Sequence, residues 1–144
     1  MELLVGIGQY VQGHLLGIVI SIAASIGAGF LWHGPLFGKQ WMAYNKMTPP
    51  KREEFKFTMM LPGLVMSIIM VFVQASVLGI FLEGLAATVW QALIIAVIIW
   101  LPFMALTMAN IYTWSGKPKG MTFLDAGYSL VSMLLTAAIL YATL

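Results

Sequence analysis

The chain has 144 residues, of which 61% are hydrophobic and only 8% are charged. A soluble domain carries about 25% charged residues, because a surface that faces water needs them. This composition, with a mean hydropathy of +0.96, therefore indicates that lipid is the solvent for most of the surface. The formal charge of +2 is too small to indicate a nucleic-acid partner, and the absence of cysteine excludes disulfides and thiolate metal sites.

Four apolar runs are long enough to cross a bilayer, which takes about 20 residues at the rise of an α-helix. Because lipid-exposed backbone must satisfy its hydrogen bonds within the segment, all four are predicted to be helices. No basic region precedes the first run, so it is predicted to stay in the mature protein rather than to be a cleaved signal peptide. The prediction is a single all-α integral membrane domain over residues 1–144, with spans at about 15–37, 57–82, 88–110 and 123–144.

Small residues recur at every fourth position along the first span and form one row on a helix face. The row leads to a histidine at a proline-containing break, His33-Gly34-Pro35. Such a stripe lets two helices approach closely. It predicts a helix-packing seam, either between copies of the chain, as self-association, or within one copy. The members of the row are Gly13, Gly17, Ser21, Ser25 and Gly29.

The link after the first span has a helical pattern of its own over residues 37–48. A helical projection places Phe37, Trp41, Tyr44 and Thr48 on one face, with lysines on the opposite face. This pattern is typical of a short amphipathic helix that lies in the headgroup region with its aromatic side toward the lipid. We expect a membrane-surface anchor here.

The basic residues predict the orientation of the spans. All seven lie in two links, between spans one and two and between spans three and four, which open to the same side of the membrane. The positive-inside rule makes that side cytoplasmic and places both termini outside. The basic residues are Lys39, Lys46, Lys51, Arg52, Lys56, Lys117 and Lys119.

Spans one and three share a tryptophan followed by a proline, Trp32 with Pro35 and Trp100 with Pro102. Short stretches of spans two and four also resemble each other. A tandem repeat of two helical hairpins would relate the halves by an axis along the membrane normal. Chance similarity between apolar helices is the alternative.

Residues 31–42, LWHGPLFGKQWM, resemble the signature of a bacterial family known as domain of unknown function 1761. Residues 125–132, DAGYSLVS, are similar to the last span of that family, and Asn110 with the 116–118 turn fits its third span. His33 stands where the signature more often has tyrosine. The resemblance covers nearly the whole chain. It implies a small four-helix protein of a bacterial cytoplasmic membrane, and it implies no established activity.

Polar residues near the basic side of the predicted bundle form the candidate functional site. A histidine and a carboxylate there could relay protons or bind a small solute or ion. The alternative is structural: His33 caps the break at Pro35, and Asp125 caps the N-terminus of span four. The candidate ligand-binding residues are His33, Asn110, Asp125, Tyr128 and Ser129.

Polar side chains also extend into the apolar spans. In span four, Ser132 and Thr136 continue a stripe from Asp125 and Ser129 toward the bilayer centre. The stripe hydrogen-bonds a neighbouring helix, bonds back to its own helix, or lines a narrow water path. In span two, Gln74 is predicted to hold helices together, because an amide in hydrocarbon needs a partner.

The chain has no motif for catalysis, a phosphate loop or a metal site, so no catalytic residue, metal or cofactor is expected. Two hypotheses about function stay open. The first is binding or transport of a small solute or ion in an oligomer. The second is a non-catalytic scaffold or accessory subunit of a larger complex.

Overall fold

The computed structural model describes residues 2–48 and 57–143, and no strand occurs among them. Lys51, Arg52 and Lys56, which entered the prediction of orientation, lie outside the described residues. Three short helical turns of other types accompany the α-helices in this part of the chain: a 3₁₀ turn at Phe57–Met59 and the two π-helical turns described below. The α-helices are α1 (Glu2–Gly13), α2 (Leu15–Leu31), α3 (Gly38–Tyr44), α4 (Leu61–Leu85), α5 (Val89–Trp100), α6 (Leu106–Trp114) and α7 (Lys119–Thr143).

Four helical segments are long and apolar enough to cross a membrane, as the sequence predicts: Leu15–Leu36, Leu61–Leu85, Val89–Trp114 and Lys119–Thr143. Three helix ends lie beyond the predicted ones: the end of span two, the end of span three and the start of span four. Polar side chains at these positions do not end the helix, because they can extend to the membrane interface. Glu83 lies inside α4, and Asp125 lies well inside α7. The interpretation of Asp125 as an N-cap is therefore wrong.

Helix α7 is the centre of the bundle. It packs most extensively against α2, then against α5 and α4. Its buried positions are mostly three and four apart on two adjoining faces, which is the spacing expected where a helix has neighbours on several sides. They include Ser129, Ser132, Met133, Thr136, Ala137 and Leu140. The last helix of the chain therefore holds the other three spans together.

The small-residue row of α2 packs against α7 within the same chain. Gly17 contacts Thr143 and lies beside Leu140, and a methyl group added at Gly29 would come within 2.8 Å of the Tyr128 hydroxyl oxygen. Ser21 and Ser25, between these two points, are completely buried. The row is thus occupied by an intramolecular seam. Self-association stays a prediction, and it needs a surface other than this row.

At the start of the row, Gly13 has no other side chain near the place of its missing Cβ. It closes α1, an N-terminal helix that the sequence did not predict because Gly6, Gly8 and two glutamines interrupt its apolar pattern. Helix α1 packs against α4, and the ring of Tyr10 lies directly against Gly79. We call the end of the bundle that holds α1 and the 86–88 link the terminal end.

Spans one and three are interrupted in the same way. Each has a π-helical turn, Trp32–Leu36 and Leu101–Ala105, that contains a proline. Proline has no N–H to donate and its ring crowds the preceding turn, so the helix widens locally. Both tryptophans then donate to α7: Trp32 Nε1 to the Leu124 carbonyl at 3.1 Å, and Trp100 Nε1 to the Ala126 carbonyl at 3.2 Å. The similarity between the two spans in sequence is matched in structure.

The predicted amphipathic helix is present as α3, but its aromatic side chains face the bundle. The Tyr44 ring lies over Gly120, at the start of α7. Trp41 faces His33, with ring centroids 5.9 Å apart. Lys117 Nζ donates to Asn45 Oδ1 at 3.1 Å and ties α3 to the second basic link. Helix α3 therefore covers the end of the bundle that holds the two basic links, which we call the basic end. Its aromatic rings face inward because they make closer packing contacts with the protein, such as Tyr44 over Gly120, than they would with lipid.

Candidate functional site

Asp125 is the centre of a polar cluster near the basic end. Its Oδ2 accepts a hydrogen bond of 2.7 Å from the Tyr112 hydroxyl, and its Oδ1 lies 3.7 Å from His33 Nε2. The Asp125 side chain is only 14% exposed. A carboxylate that loses most of its water needs such partners, and hydrogen bonds to a charged acceptor are the strong ones.

The orientation of His33 follows from the π-helical turn that carries it. Its Nδ1 lies 3.2 Å from the Gly29 carbonyl oxygen, which can only accept, so Nδ1 carries a hydrogen. The other ring nitrogen, Nε2, then faces Asp125. The ring edge packs against Tyr128, with centroids 4.9 Å apart. These contacts hold the imidazole in one orientation, as a functional histidine requires.

Tyr128 and Ser129 are bound to neighbouring helices by their hydroxyl groups. The Tyr128 hydroxyl donates to the Ser25 carbonyl at 3.1 Å, across the α2–α7 seam. On the other side of α7, Ser129 Oγ accepts from Trp100 Nε1 at 2.9 Å and donates to the Ala126 carbonyl at 2.8 Å. Tyr128 therefore lies on the His33 side of α7, and Ser129 on the side of span three.

A cavity of about 420 Å³ opens between α2, α3, α4 and α7 beside this cluster. We call it the His33 pocket. Its walls are mostly aromatic, aliphatic and thioether side chains, and the His33 ring forms part of the wall while Asp125 stands behind that ring. The lining residues are Ile26, Gly29, Phe30, His33, Trp41, Met59, Met60, Gly63, Leu64, Ser67 and Tyr128.

The structure thus brings His33, Asp125 and Tyr128 together and places Ser129 one face away. Asn110 is exposed, and its side chain has no hydrogen bond to the described residues. Tyr112 occupies the place beside Asp125 that the sequence analysis assigned to Asn110. Positions two apart on a helix point in nearly opposite directions, so only one of these two can face α7. Asn110 was selected by its depth at the end of span three, and depth alone does not say which face of the helix meets α7.

Trp41 is the other residue that sequence reasoning did not assign to the site. It was interpreted as a lipid anchor, whereas it lines the His33 pocket. Its position relative to His33 is the signal that would have indicated this role. The chain makes a tight turn between α2 and α3, so Trp41 in α3 comes to face His33, which lies just before the turn. An indole has an apolar body with one N–H donor, which suits a pocket wall as well as a membrane interface.

The deeper polar residues bond mainly within their own helices. Thr136 Oγ1 donates to the Ser132 carbonyl at 2.9 Å, and Ser21 Oγ to the Gly17 carbonyl at 2.8 Å. Back-bonding of this kind satisfies a hydroxyl without a water path. Gln74, predicted to bond between helices, has a buried Nε2 without a partner among the described residues. Ser25 Oγ and Ser132 Oγ are likewise buried without a partner among the described residues. The stripe of span four is therefore closely packed below the level of Tyr128, but only part of its hydroxyl groups is paired.

Three apolar spans around a central fourth, with an interhelical cavity bounded by a half-buried histidine beside a carboxylate, define a multi-pass membrane protein. The chain belongs to the family described as "Protein of unknown function (DUF1761)", whose profile matches residues 16–141. The sequence resemblance is thereby confirmed over nearly the whole chain. No curated protein and no solved structure matches the chain.

Proposed function

We propose that this protein binds a small solute in the His33 pocket. The observation that carries the proposal is that the His33 ring makes two contacts at once. It forms part of the pocket wall, and its Nε2 lies 3.7 Å from the Asp125 carboxylate. A mostly apolar cavity with one oriented polar group is the usual form of a small-molecule site. A histidine that merely capped its own helix would not need a buried carboxylate on its other nitrogen.

The residues that line the pocket indicate what kind of solute it would bind. Phe30, Trp41 and Tyr128 offer aromatic surface, and Met59 and Met60 offer adaptable thioether side chains. The polar end consists of His33 and, behind it, Asp125. The solute we expect has a flat or aliphatic body and one polar group that exchanges hydrogen bonds or a proton with the imidazole.

Gly63 provides a clean test because it lines the pocket and has no other residue within 4 Å of its missing Cβ. Gly63→Leu is expected to fill the pocket without disturbing the bundle. Gly84→Leu is the matched control, since Gly84 lies on the same helix, is exposed and does not line the His33 pocket. The measurement is the shift in thermal unfolding temperature of the purified protein with a panel of small amphipathic compounds.

Compounds that stabilise the wild type by several degrees should stabilise Gly84→Leu equally and lose their effect in Gly63→Leu, because a ligand shifts unfolding only through its binding to the folded state. Equal shifts in both variants would contradict the proposal. So would a panel in which no compound stabilises the wild type.

The scaffold hypothesis is the second candidate, and one observation favours it. Between the two ends of the bundle the interior is closed by side chains with at most 2% exposure, among them Ile18, Leu78 and Met133. A closed interior suits a scaffold as it stands, whereas transport of a bound solute would require the helices to move apart. Loss of the flux of a pocket-binding compound in proteoliposomes with His33→Gln, at unchanged folding, would support transport by an oligomer over a scaffold.

We also propose the orientation in which the basic end faces the cytoplasm of a bacterium. The chain has no cysteine, so each introduced cysteine is the only one. In sealed cells, Lys46→Cys and Lys117→Cys are expected to be protected from a membrane-impermeant maleimide, and Thr88→Cys, in the 86–88 link, to be labelled. Permeabilised cells provide the control, since all three should then react. Labelling of the two lysine positions in sealed cells would reverse the orientation.

A further inference from the structure

A second cavity, of about 610 Å³, lies at the terminal end, far from His33. We call it the Tyr10 pocket. Helix α1, the His14 turn and the last turns of α4 form its walls. Because Gly79 has no side chain, the Tyr10 ring settles against the α4 backbone and is only 5% exposed. The lining residues are Gly6, Ile7, Gln9, Tyr10, His14, Ile80 and Glu83.

The Tyr10 hydroxyl is buried and has no hydrogen-bond partner among the described residues. An unpaired buried hydroxyl costs free energy, so a group that hydrogen-bonds it from the cavity would stabilise the fold. Burial raises the pKa of this phenol above its ordinary value, and the charge of Glu83 adds to the shift. The hydroxyl is therefore a neutral group with its hydrogen-bonding capacity unused.

The pocket also contains a negative charge without a described counter-charge. Glu83 lies one helical turn beyond Gly79 on the same face of α4, which directs it to Tyr10. Among the described residues, His33 Nε2 beside Asp125 is the only basic nitrogen within 4 Å of a carboxylate oxygen. The described lysines are all at the basic end: Lys39, Lys46, Lys117 and Lys119.

His14 adds another acceptor. Its ring stacks on Tyr10, with centroids 4.3 Å apart and an interplanar angle of 19°. Its Nδ1 lies 3.0 Å from the Tyr10 carbonyl oxygen, which can only accept. In the neutral ring Nδ1 then carries the hydrogen, and Nε2 is left as an acceptor. The pocket therefore offers an imidazole nitrogen and a carboxylate beside the stacked aromatic pair, with the unpaired phenol hydroxyl buried at its floor against Gly79.

We propose that the Tyr10 pocket binds a primary ammonium group. An ammonium has three N–H donors and a positive charge, which match these acceptors and the Glu83 carboxylate. A bare metal ion fits less well, because no group of three histidine or acidic side chains comes together among the described residues. The volume also suits an organic cation. The ammonium is carried either by a free small amine or by the headgroup of an aminophospholipid.

The test uses ligand pairs that keep the positive charge and replace the three N–H donors by N-methyl groups. Calorimetric titration of the purified full-length chain with ethanolamine and with choline tests the free amine. Native mass spectrometry in an equimolar mixture of phosphatidylethanolamine and phosphatidylcholine tests the headgroup. We expect the primary ammonium to be preferred by about tenfold or more, since a hydrogen bond to a charged group contributes about 1.5–3 kcal/mol.

Preference in the titration assigns a free amine, and preference in the lipid mixture alone assigns the headgroup; either supports the proposal. Glu83→Gln should remove the preference and Tyr10→Phe should weaken it, whereas Glu83→Asp, which keeps the charge, should largely retain it. His33→Gln, in the other pocket, should leave it unchanged. Equal binding of both members of each pair, no binding of either, or an unchanged preference in Glu83→Gln would overturn the proposal. These outcomes are independent of the His33 pocket, so the two proposals fail separately.

Discussion

Gly17→Leu is expected to destabilise the folded bundle severely, whereas Gly27→Leu in the same helix should be tolerated. Gly17 contacts Thr143 and lies beside Leu140, so a leucine side chain there has to push α2 away from α7. Gly27 has no other residue within 4 Å of its missing Cβ and is exposed. Overpacking in a close-packed interior typically costs about 1–3 kcal/mol, and we expect the upper part of that range or more.

Unfolding of the two purified variants, followed by circular dichroism during heating or titration with a denaturing detergent, measures the difference. The same pair of variants separates the two interpretations of the small-residue row. An intramolecular seam predicts loss of stability in Gly17→Leu. A changed oligomeric mass with unchanged stability would contradict the seam, and would mean that the row joins copies of the chain.

The second large effect is expected at the hydrogen bond between Tyr112 and Asp125. Tyr112→Phe removes the donor, and Asp125→Asn removes the negative charge of the acceptor, so each change should destabilise the protein. The double variant should cost less than the sum, with a coupling of about 1.5–3 kcal/mol, the range for hydrogen bonds to charged groups. The Asp125 side chain is only 14% exposed and Tyr112 is partly buried, so solvent screens their interaction less than it would at an open surface.

Asn110→Ala supplies the control for this cycle. Asn110 is on the same helix but is exposed and makes no side-chain hydrogen bond to the described residues. Its replacement should leave the free energy of unfolding unchanged within about 0.5 kcal/mol. Additive effects of Tyr112→Phe and Asp125→Asn would mean that the two groups do not interact. A large effect of Asn110→Ala would restore the site suggested by the sequence.

The contrast between Asn110 and Tyr112 illustrates where sequence reasoning stops. Membrane residence, the number of spans and their helical form follow from composition and run length, because the bilayer sets the length and forbids unpaired backbone. The break at Pro35 and the similarity of spans one and three were also readable, since proline acts on its own helix. These properties depend on neighbours in sequence, so a sequence is enough to predict them.

The candidate site was only partly predictable. His33, Asp125 and Tyr128 were selected because each is polar and near the same predicted membrane edge, and the structure brings them together. That selection needed only depth along the membrane normal. Depth does not determine which face of a helix meets which neighbouring helix, because that depends on the rotation of the helix about its axis. It changes when a π-helical turn rotates the residues that follow, as it does before Tyr112.

The sequence by itself determined an all-helical membrane protein with four spans and a small-residue row. Only the tertiary structure decided that this row packs on α7, that Trp41 lines a pocket, and that α1 covers Gly79. The physical reason is that lipid tails are as apolar as the side chains, so hydrophobicity does not distinguish a buried face from a lipid-facing one. Contacts between spans depend instead on shape and on single hydrogen bonds, such as those from Trp32 and Trp100, which appear only when the helices are assembled.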